Sequence, residues 1–393
     1  MTGRPEQPVR RAKVAWSVDL AIDPAADVRA DLTLRAARSC VPLSVEVELT
    51  ARCNLQCAHC YLGERRSSSG EEIGLDRLLH LVAEVHDAGC MFLTVTGGEV
   101  VLRDGWLRVV EAARRRRMVV TVLTNGTLIG PQEAEALARL RVKEVAVSIY
   151  GDTAEAHDAL TGVPGSLERS VAGIKALRRA GVPVRVASVV TTANVDRLSR
   201  IRRLAERLGC TYRFDHTVRP AADGSLAPLR FRVSAAELAR HLYGDEAILS
   251  RSAEGKCEAI RARTLPAVAR NMCTAGFASC FVDARGDVYA CAGFPPSFGN
   301  VTDASFVSVW RGLRAESHRR RMLEPLVECQ SCDLRRFCLS RCPRLALVED
   351  GSLAGPSSRA CEMARLVKSL CDNDCWPEGA VSLVNVQSPA RED

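Results

Sequence analysis

Three cysteines stand close together on one short stretch, Cys53-Asn54-Leu55-Gln56-Cys57-Ala58-His59-Cys60-Tyr61, spaced by three and then two residues. Thiolate is the soft ligand that holds iron-sulfur clusters, and three thiolates on one loop can converge on a single cubane. A 4Fe-4S cube has four irons, so three cysteines leave one iron with a position at which a substrate or cofactor can bind directly. Two other chemistries use such residues. Structural zinc usually takes two Cys-x2-Cys hooks, which one x3-x2 loop does not supply. A disulfide framework needs an oxidising compartment, and residues 1–16, basic at Arg4, Arg10, Arg11 and Lys13, have no long apolar run behind them to act as a signal peptide.

Cysteines return near the other end of the chain. Cys273-x6-Cys280-x10-Cys291 is followed by Cys329-x2-Cys332-x5-Cys338-x3-Cys342 and then, after eighteen residues, by Cys361. Eight cysteines in two groups match two fully ligated cubanes. Cys329-x2-Cys332 alone would suit a zinc ribbon, which leaves the other six unexplained. Of the rest, Cys40, Cys90 and Cys210 lie in or beside apolar elements and read as small buried hydrophobes. Cys257 falls in a polar linker. Cys371 and Cys375 read as inert or structural thiols, the alternatives being a redox pair, a further metal site or a hydrogen-atom donor.

Composition narrows the classes. The chain has 393 residues, 47% hydrophobic, enough for a large core and two domains. Its 17 cysteines exceed what ordinary packing uses, and with no apolar run long enough to span a bilayer the expected location is the cytoplasm, where thiols stay reduced. A formal charge of +7 is mild, Arg114–Arg117 read as the solvated end of a helix, and 5% aromatic residues argue against a base-stacking surface. The expectation is no nucleic-acid partner and no membrane.

The elements that must position the thiols alternate. Strands are expected over 45–49, 91–96, 118–124, 144–150, 184–191 and 211–217, with helices over 75–87, 105–116, 131–140, 167–180 and 195–208 between them. Such alternation means parallel strands joined by right-handed crossovers, and six units give a partial barrel, with chemistry at the strand C-terminal ends where the first cysteine loop falls. The expected class is α/β, a partial (β/α)6 barrel with a small C-terminal cysteine-rich iron-sulfur domain. Residues 282–291 read as a hairpin turning at Arg285-Gly286. The expected divisions are an extension over 1–42 that packs on the barrel or covers its site, the barrel over 43–217, a linker with a helix over 218–265, the auxiliary-cluster domain over 266–370, and a disordered tail over 371–393.

The Cys-x3-Cys-x2-Cys loop with its neighbouring aromatic Tyr61 resembles the signature of the radical S-adenosylmethionine (SAM) superfamily. The resemblance implies that SAM chelates the open iron of the Cys53, Cys57, Cys60 cluster and is cleaved by one electron to methionine and a 5′-deoxyadenosyl radical. Gly97-Gly98-Glu99 at the second strand end resembles the family's segment that holds the amino group of SAM, with Val100 in place of the usual proline. Asn125 at the third strand end has a form common in the superfamily, and Ser148 at the fourth resembles the residue that contacts the ribose or carboxylate of SAM. Each of these, taken singly, also suits a turn or a helix cap. The later cysteines, with Gly286-x4-Cys291, resemble the SPASM extension of peptide-modifying members. By that analogy one auxiliary cluster takes Cys273, Cys280, Cys291 and Cys342, and the other Cys329, Cys332, Cys338 and Cys361.

Two auxiliary clusters give a substrate radical somewhere to leave an electron, which favours oxidation. The resemblance is to maturases of ribosomally made peptides such as those of the mycofactocin and PQQ pathways, implying crosslinking, decarboxylation or dehydrogenation of a peptide. It further implies a ferredoxin or flavodoxin reductant and either a separate leader-peptide recognition protein or direct docking. Alternatives are a radical SAM dehydrogenase or epimerase of a sugar or aminocyclitol, and a non-catalytic iron-sulfur electron carrier or scaffold.

Overall fold

The structure, a computed structural model, describes residues 28–66, 72–242, 260, 273–338 and 341–372. Helix α1 (Val28–Arg38) precedes six parallel strands, β1 (Ser44–Glu48), β2 (Phe92–Thr96), β3 (Val119–Thr124), β4 (Glu144–Ser148), β5 (Val184–Val189) and β6 (Thr211–Asp215), which pair in chain order. Between them run α2 (Leu75–Asp87), α3 (Trp106–Arg115), α4 (Pro131–Arg139), α5 (Ala154–Thr161) with α6 (Ser166–Arg179), and α7 (Leu198–Arg207). This is the expected α/β partial barrel. Helix α5 was not foreseen, because eight residues capped by Thr153 carry too little periodicity to separate from a loop.

Alternation along β1 sets the two faces of the sheet. Val45 and Val47 pack outward into one core with Leu78, Leu81 and Val85 of α2 and with the valines of β2 to β5. Each fully buried aliphatic contributes about 1.5–3 kcal/mol, so this outer layer holds the barrel together. Glu46 and Glu48, on the opposite face, are left to line the interior. At the end of α3 the arginine run is only partly a solvated face: Arg114 Nε donates to the Leu140 carbonyl at 2.9 Å, fastening α3 to the turn after α4.

The sheet does not stop at β1. Strand β7 (Ser279–Val282) pairs with it in parallel, Ser44 opposite Ser279 and Val47 opposite Val282, and the antiparallel β8 (Asp287–Tyr289) and β9 (Gly299–Asn300) complete a nine-stranded order β6-β5-β4-β3-β2-β1-β7-β8-β9. The hairpin expected around Gly286 is present, with that glycine at φ +89°, yet it extends the barrel sheet instead of founding one of its own. Strand β1 would otherwise expose an edge of unpaired backbone groups. The remaining helices are α8 (Ala235–Leu242), α9 (Phe306–Trp310), α10 (Leu313–Met322), α11 (Pro343–Asp350) and α12 (Ser358–Asp372).

Helix α12 closes a second apolar cluster with Val190, Val195, Leu198 and Leu238. Cys371, expected at the start of a disordered tail, is instead buried there on the last turn of α12. Cys257, Cys375 and the tail beyond 372 lie outside the described residues, as do 1–27 of the expected extension, 243–259 and 261–265 of the expected linker, and 266–272 and 339–340 of the expected auxiliary-cluster domain. Leu34, Ala36 and Ala37 show that the extension packs α1 onto the barrel.

Candidate functional site

The first cysteine loop leaves β1 at the strand C-terminal end and is docked by its own backbone. Gln56 N–H donates to the Thr161 carbonyl at 2.8 Å and Ala58 N–H to the Leu160 carbonyl at 3.0 Å, so the end of α5 forms its outer wall. Asn54 Nδ2 donates to Thr127 Oγ1 at 2.8 Å, and Asn125 Nδ2 donates to Asn54 Oδ1 at 2.8 Å and to Cys53 Sγ at 3.9 Å. Cys53, Cys57 and Cys60 all lie around the half-buried Tyr150. Beneath the loop the His59 ring meets Tyr150 edge-on at 4.6 Å, and burial lowers His59 to about 4, so its imidazole is neutral. Tyr150 was not singled out from sequence as a neighbour of the thiols. The position after the fourth strand end was the only signal for it.

The Gly-Gly-Glu segment lies against the start of this loop. Gly98 N–H donates to the Thr50 carbonyl and Glu99 N–H to the Arg52 carbonyl, both at 2.8 Å. A Cβ on Gly98 would fall 2.3 Å from the Arg52 carbonyl oxygen, and one on Gly97 2.7 Å from that of Thr50. Glu99 is fully buried, and its carboxylate accepts from Thr124 Oγ1 at 2.6 Å, Asn125 N–H at 2.7 Å and Val101 N–H at 3.3 Å. The carboxylate expected to meet a ligand's amino group is thus engaged in tying the ends of β2 and β3 together. Ser148 stands at the C-terminal end of β4, two residues before Tyr150.

Inside the barrel a polar network joins the first loop to the sheet extension. Tyr61 Oη donates to Glu48 at 2.9 Å, and Arg65 Nη2 donates both to Glu48 at 2.8 Å and to Asp283, in the β7–β8 turn, at 3.2 Å. Sequence reading did not single out Glu48, Arg65 or Asp283. The signal was present in β1, where Glu46 and Glu48 alternate with valine in a strand too apolar to be exposed. Burial pushes the Glu48 carboxyl up to about 7, with Arg65, Tyr61 and Ala284 N–H pulling it down and Asp283 adding to the rise. A carboxyl raised in the folded state contributes stability that is complete below its ordinary value and is lost as the pH climbs from 4.5 through about 7. That window corresponds to about 3 kcal/mol. Glu48→Gln is expected to flatten the loss of unfolding free energy across it in urea titrations at stepped pH, and an unchanged pH profile would count against the network.

The later cysteines gather in two sets. Cys291 has Cys273 and Cys342 beside it, together with the guanidinium groups of Arg219 and Arg344. Cys338 has Cys361, Cys329 and Cys332 around it. Burial pushes Cys273 and Cys338 up to about 11 and Cys291 to about 12, so these thiols ionise only against a cation. Among the described residues no three His, Cys, Asp or Glu side chains share one ion-sized site. Each group of thiols suits a cluster in which each iron takes its own thiolate.

Cys280 joins neither set. It pairs with Val45 across β7 and β1, so it shares the outward, core-facing side of the sheet, and its neighbours are Cys90 and Arg319. The expected fourth ligand of the nearer cluster is therefore held away from Cys273, Cys291 and Cys342 by strand register. A side chain one position from the inner face points to the other side of the sheet.

Comparison with known proteins agrees with this geometry. The family described as the radical SAM superfamily matches residues 47–207, and the iron-sulfur cluster-binding SPASM domain matches 273–333. The chain is 30% identical to the mycofactocin maturase MftC of Mycobacterium tuberculosis, over 80% of this chain and 82% of that one. It is 28% identical to the AdoMet-dependent heme synthase of Methanosarcina barkeri, over 76% of this chain and 90% of that one. The fold also matches Streptococcus suis SuiB bound to its precursor peptide SuiA, with a TM-score of 0.65 and 16% identity over 85% of this chain and 80% of that one. Among the described residues no helix is long and apolar enough to cross a membrane.

Proposed function

The chain belongs to the radical SAM superfamily and carries its SPASM iron-sulfur extension, and from that premise we propose that it is an oxidative maturase of a ribosomally made peptide. When bound, SAM and a 4Fe-4S cluster supply a 5′-deoxyadenosyl radical that takes a hydrogen atom from an unactivated C–H bond, and the further clusters supply a sink for the substrate's electron. Cys53, Cys57 and Cys60 would hold the first cluster, and Asn125 Nδ2 would stay directed at Cys53. Gly97, Gly98 and Glu99 would act by fixing the loop that receives the amino group of SAM, with Ser148 and Tyr61 lining the same strand ends. Three clusters in all fit the three groups of thiols, the nearer auxiliary one on Cys273, Cys291 and Cys342 and the farther on Cys329, Cys332, Cys338 and Cys361.

Cys280→Ser is accordingly expected to leave the iron content unchanged, whereas Cys273→Ala should lose about one cluster, or four irons. Equal loss from both variants would return Cys280 to the ligand set. A ferredoxin or flavodoxin would deliver electrons in the cytoplasm, where the thiols stay reduced, and a separate protein or direct docking would present the peptide.

The observation that carries the peptide reading is the identity to mycofactocin maturase along four-fifths of the chain. Incubation of reduced, reconstituted protein with SAM and precursor peptides encoded beside it should yield peptide that has lost hydrogen or carbon dioxide by mass spectrometry. The match to heme synthase favours a second reading, oxidation of a heme precursor. Unchanged peptides together with decarboxylation of a carboxylated tetrapyrrole would replace the first reading by the second.

A further inference from the structure

Among the described residues Arg344 is the buried cation with the fewest partners, two of its nitrogens having none. It is 2% exposed, on the first turn of α11 directly after Cys342 and Pro343. Its Nη2 donates to the Pro220 carbonyl at 2.9 Å, and the guanidinium lies against Gly293, where a Cβ would come within 2.8 Å of Nη2. Nε and Nη1, equally buried, have no hydrogen-bond partner among the described residues. A guanidinium stays charged in proteins, and a buried charge left unpaired costs several kcal/mol, so folding it here needs an anion. The groups able to carry negative charge that act on it are, in order of effect, Cys291, Cys342 and Tyr61. Those thiols are anionic when they ligate metal. Arg219 approaches the same thiols but has half its side chain open to solvent and an ion-pair partner in Asp215 at 3.9 Å.

We propose that Arg344 is the counter-charge and N–H donor to the sulfur shell of the cluster held by Cys273, Cys291 and Cys342, and that it raises that cluster's affinity for an electron. This rests on the assignment of a cluster to those three cysteines. Hydrogen bonds to sulfur and local net charge both set the potential of iron-sulfur clusters, and a fixed cation in a site that water does not reach acts on both. Arg344 is a positioning and tuning residue, since it acts through its charge on the cluster's ligands and not on the substrate. Its placement also explains Gly293: any side chain there would displace the guanidinium.

The test is an EPR-monitored redox titration of reconstituted wild-type protein, Arg344→Gln and Arg344→Lys, with iron counted in each. Arg344→Gln is expected to keep its iron and to lower one cluster's equilibrium constant for reduction at least tenfold, about 59 mV for a one-electron couple. Arg344→Lys, which keeps the charge but presents different donors, should shift the same cluster less. Full iron with unmoved potentials in both variants overturns the proposal, and so does loss of one cluster's iron from both, which would make Arg344 a structural strut. Wild-type protein binding only the barrel cluster's iron would overturn the cluster assignment itself, a result distinguishable from the other two.

Discussion

Protein in which Cys53, Cys57 and Cys60 are all replaced by alanine is expected to form no 5′-deoxyadenosine after anaerobic reconstitution, while its iron falls from about twelve to about eight per chain. The loss of activity follows from removing the iron at which SAM would be chelated. The partial loss of iron follows from geometry, because the two C-terminal thiol groups are built on the β7–β8 extension, the turns over 329–338, the N-cap of α11 and α12, and do not use the first loop as a ligand. The loop is held by backbone hydrogen bonds to Leu160 and Thr161 and by Asn54, none of which the substitutions touch, so the barrel should fold. Iron and sulfide assay beside chromatography of the nucleoside product decides it. Wild-type protein holding about four irons, with zinc on the C-terminal cysteines, would remove the auxiliary clusters and with them the oxidative mechanism.

Gly98→Ala should have a comparably large effect although it removes no ligand. The added Cβ would stand 2.3 Å from the Arg52 carbonyl oxygen and 2.6 Å from that of Ala51, both backbone atoms at the entry to the cysteine loop. Neither can rotate away as a side chain could, and the segment is clamped by the Gly98 to Thr50 and Glu99 to Arg52 hydrogen bonds. Overpacking of this kind costs about 1–3 kcal/mol. A displacement of about 1 Å at the loop can lower turnover about a hundredfold, so 5′-deoxyadenosine formation should fall by that order even where iron is retained. Gly74→Ala is the control: its Cβ would meet nothing within 4 Å, and it should change stability by no more than about 0.5 kcal/mol. If Gly98→Ala turned over at the wild-type rate, the close approach of the two segments would have no part in the site.

Much of the site was legible because ligand chemistry and strand period are local properties. Cys53, Cys57 and Cys60 declare themselves by residue type and spacing, and the span expected for the helix before β2 agrees with Leu75–Asp87 because four buried aliphatics recur at helical intervals within it. Gly97, Gly98 and Glu99 were visible as a motif, but the work of each was not. The glycines admit the carbonyls at the entry to the cysteine loop, and the Glu99 carboxylate is consumed by Thr124, Asn125 and Val101. Long-range partners of this kind leave no periodic trace.

Cys280 shows where local reading ends. The family resemblance implied a place for it with Cys273, Cys291 and Cys342, and counting agreed only in that eight cysteines suit two cubanes. Its pairing with Val45 in β7 decided otherwise, because a parallel register of side chains alternating every residue sends Cys280 into the apolar layer with Cys90 and leaves the inner face to Phe281 and Glu46. The same limit hid Arg344, one of many arginines until Pro220 and Gly293, more than fifty residues away in chain, enclosed it beside Cys291. Residue types and short spacings, by themselves, determined the chemistry available and the α/β barrel that carries it, because thiolate ligation and hydrophobic period depend on neighbours in sequence. Which thiols face one another, and which charge is buried with them, was decided only by strand register and packing between distant segments.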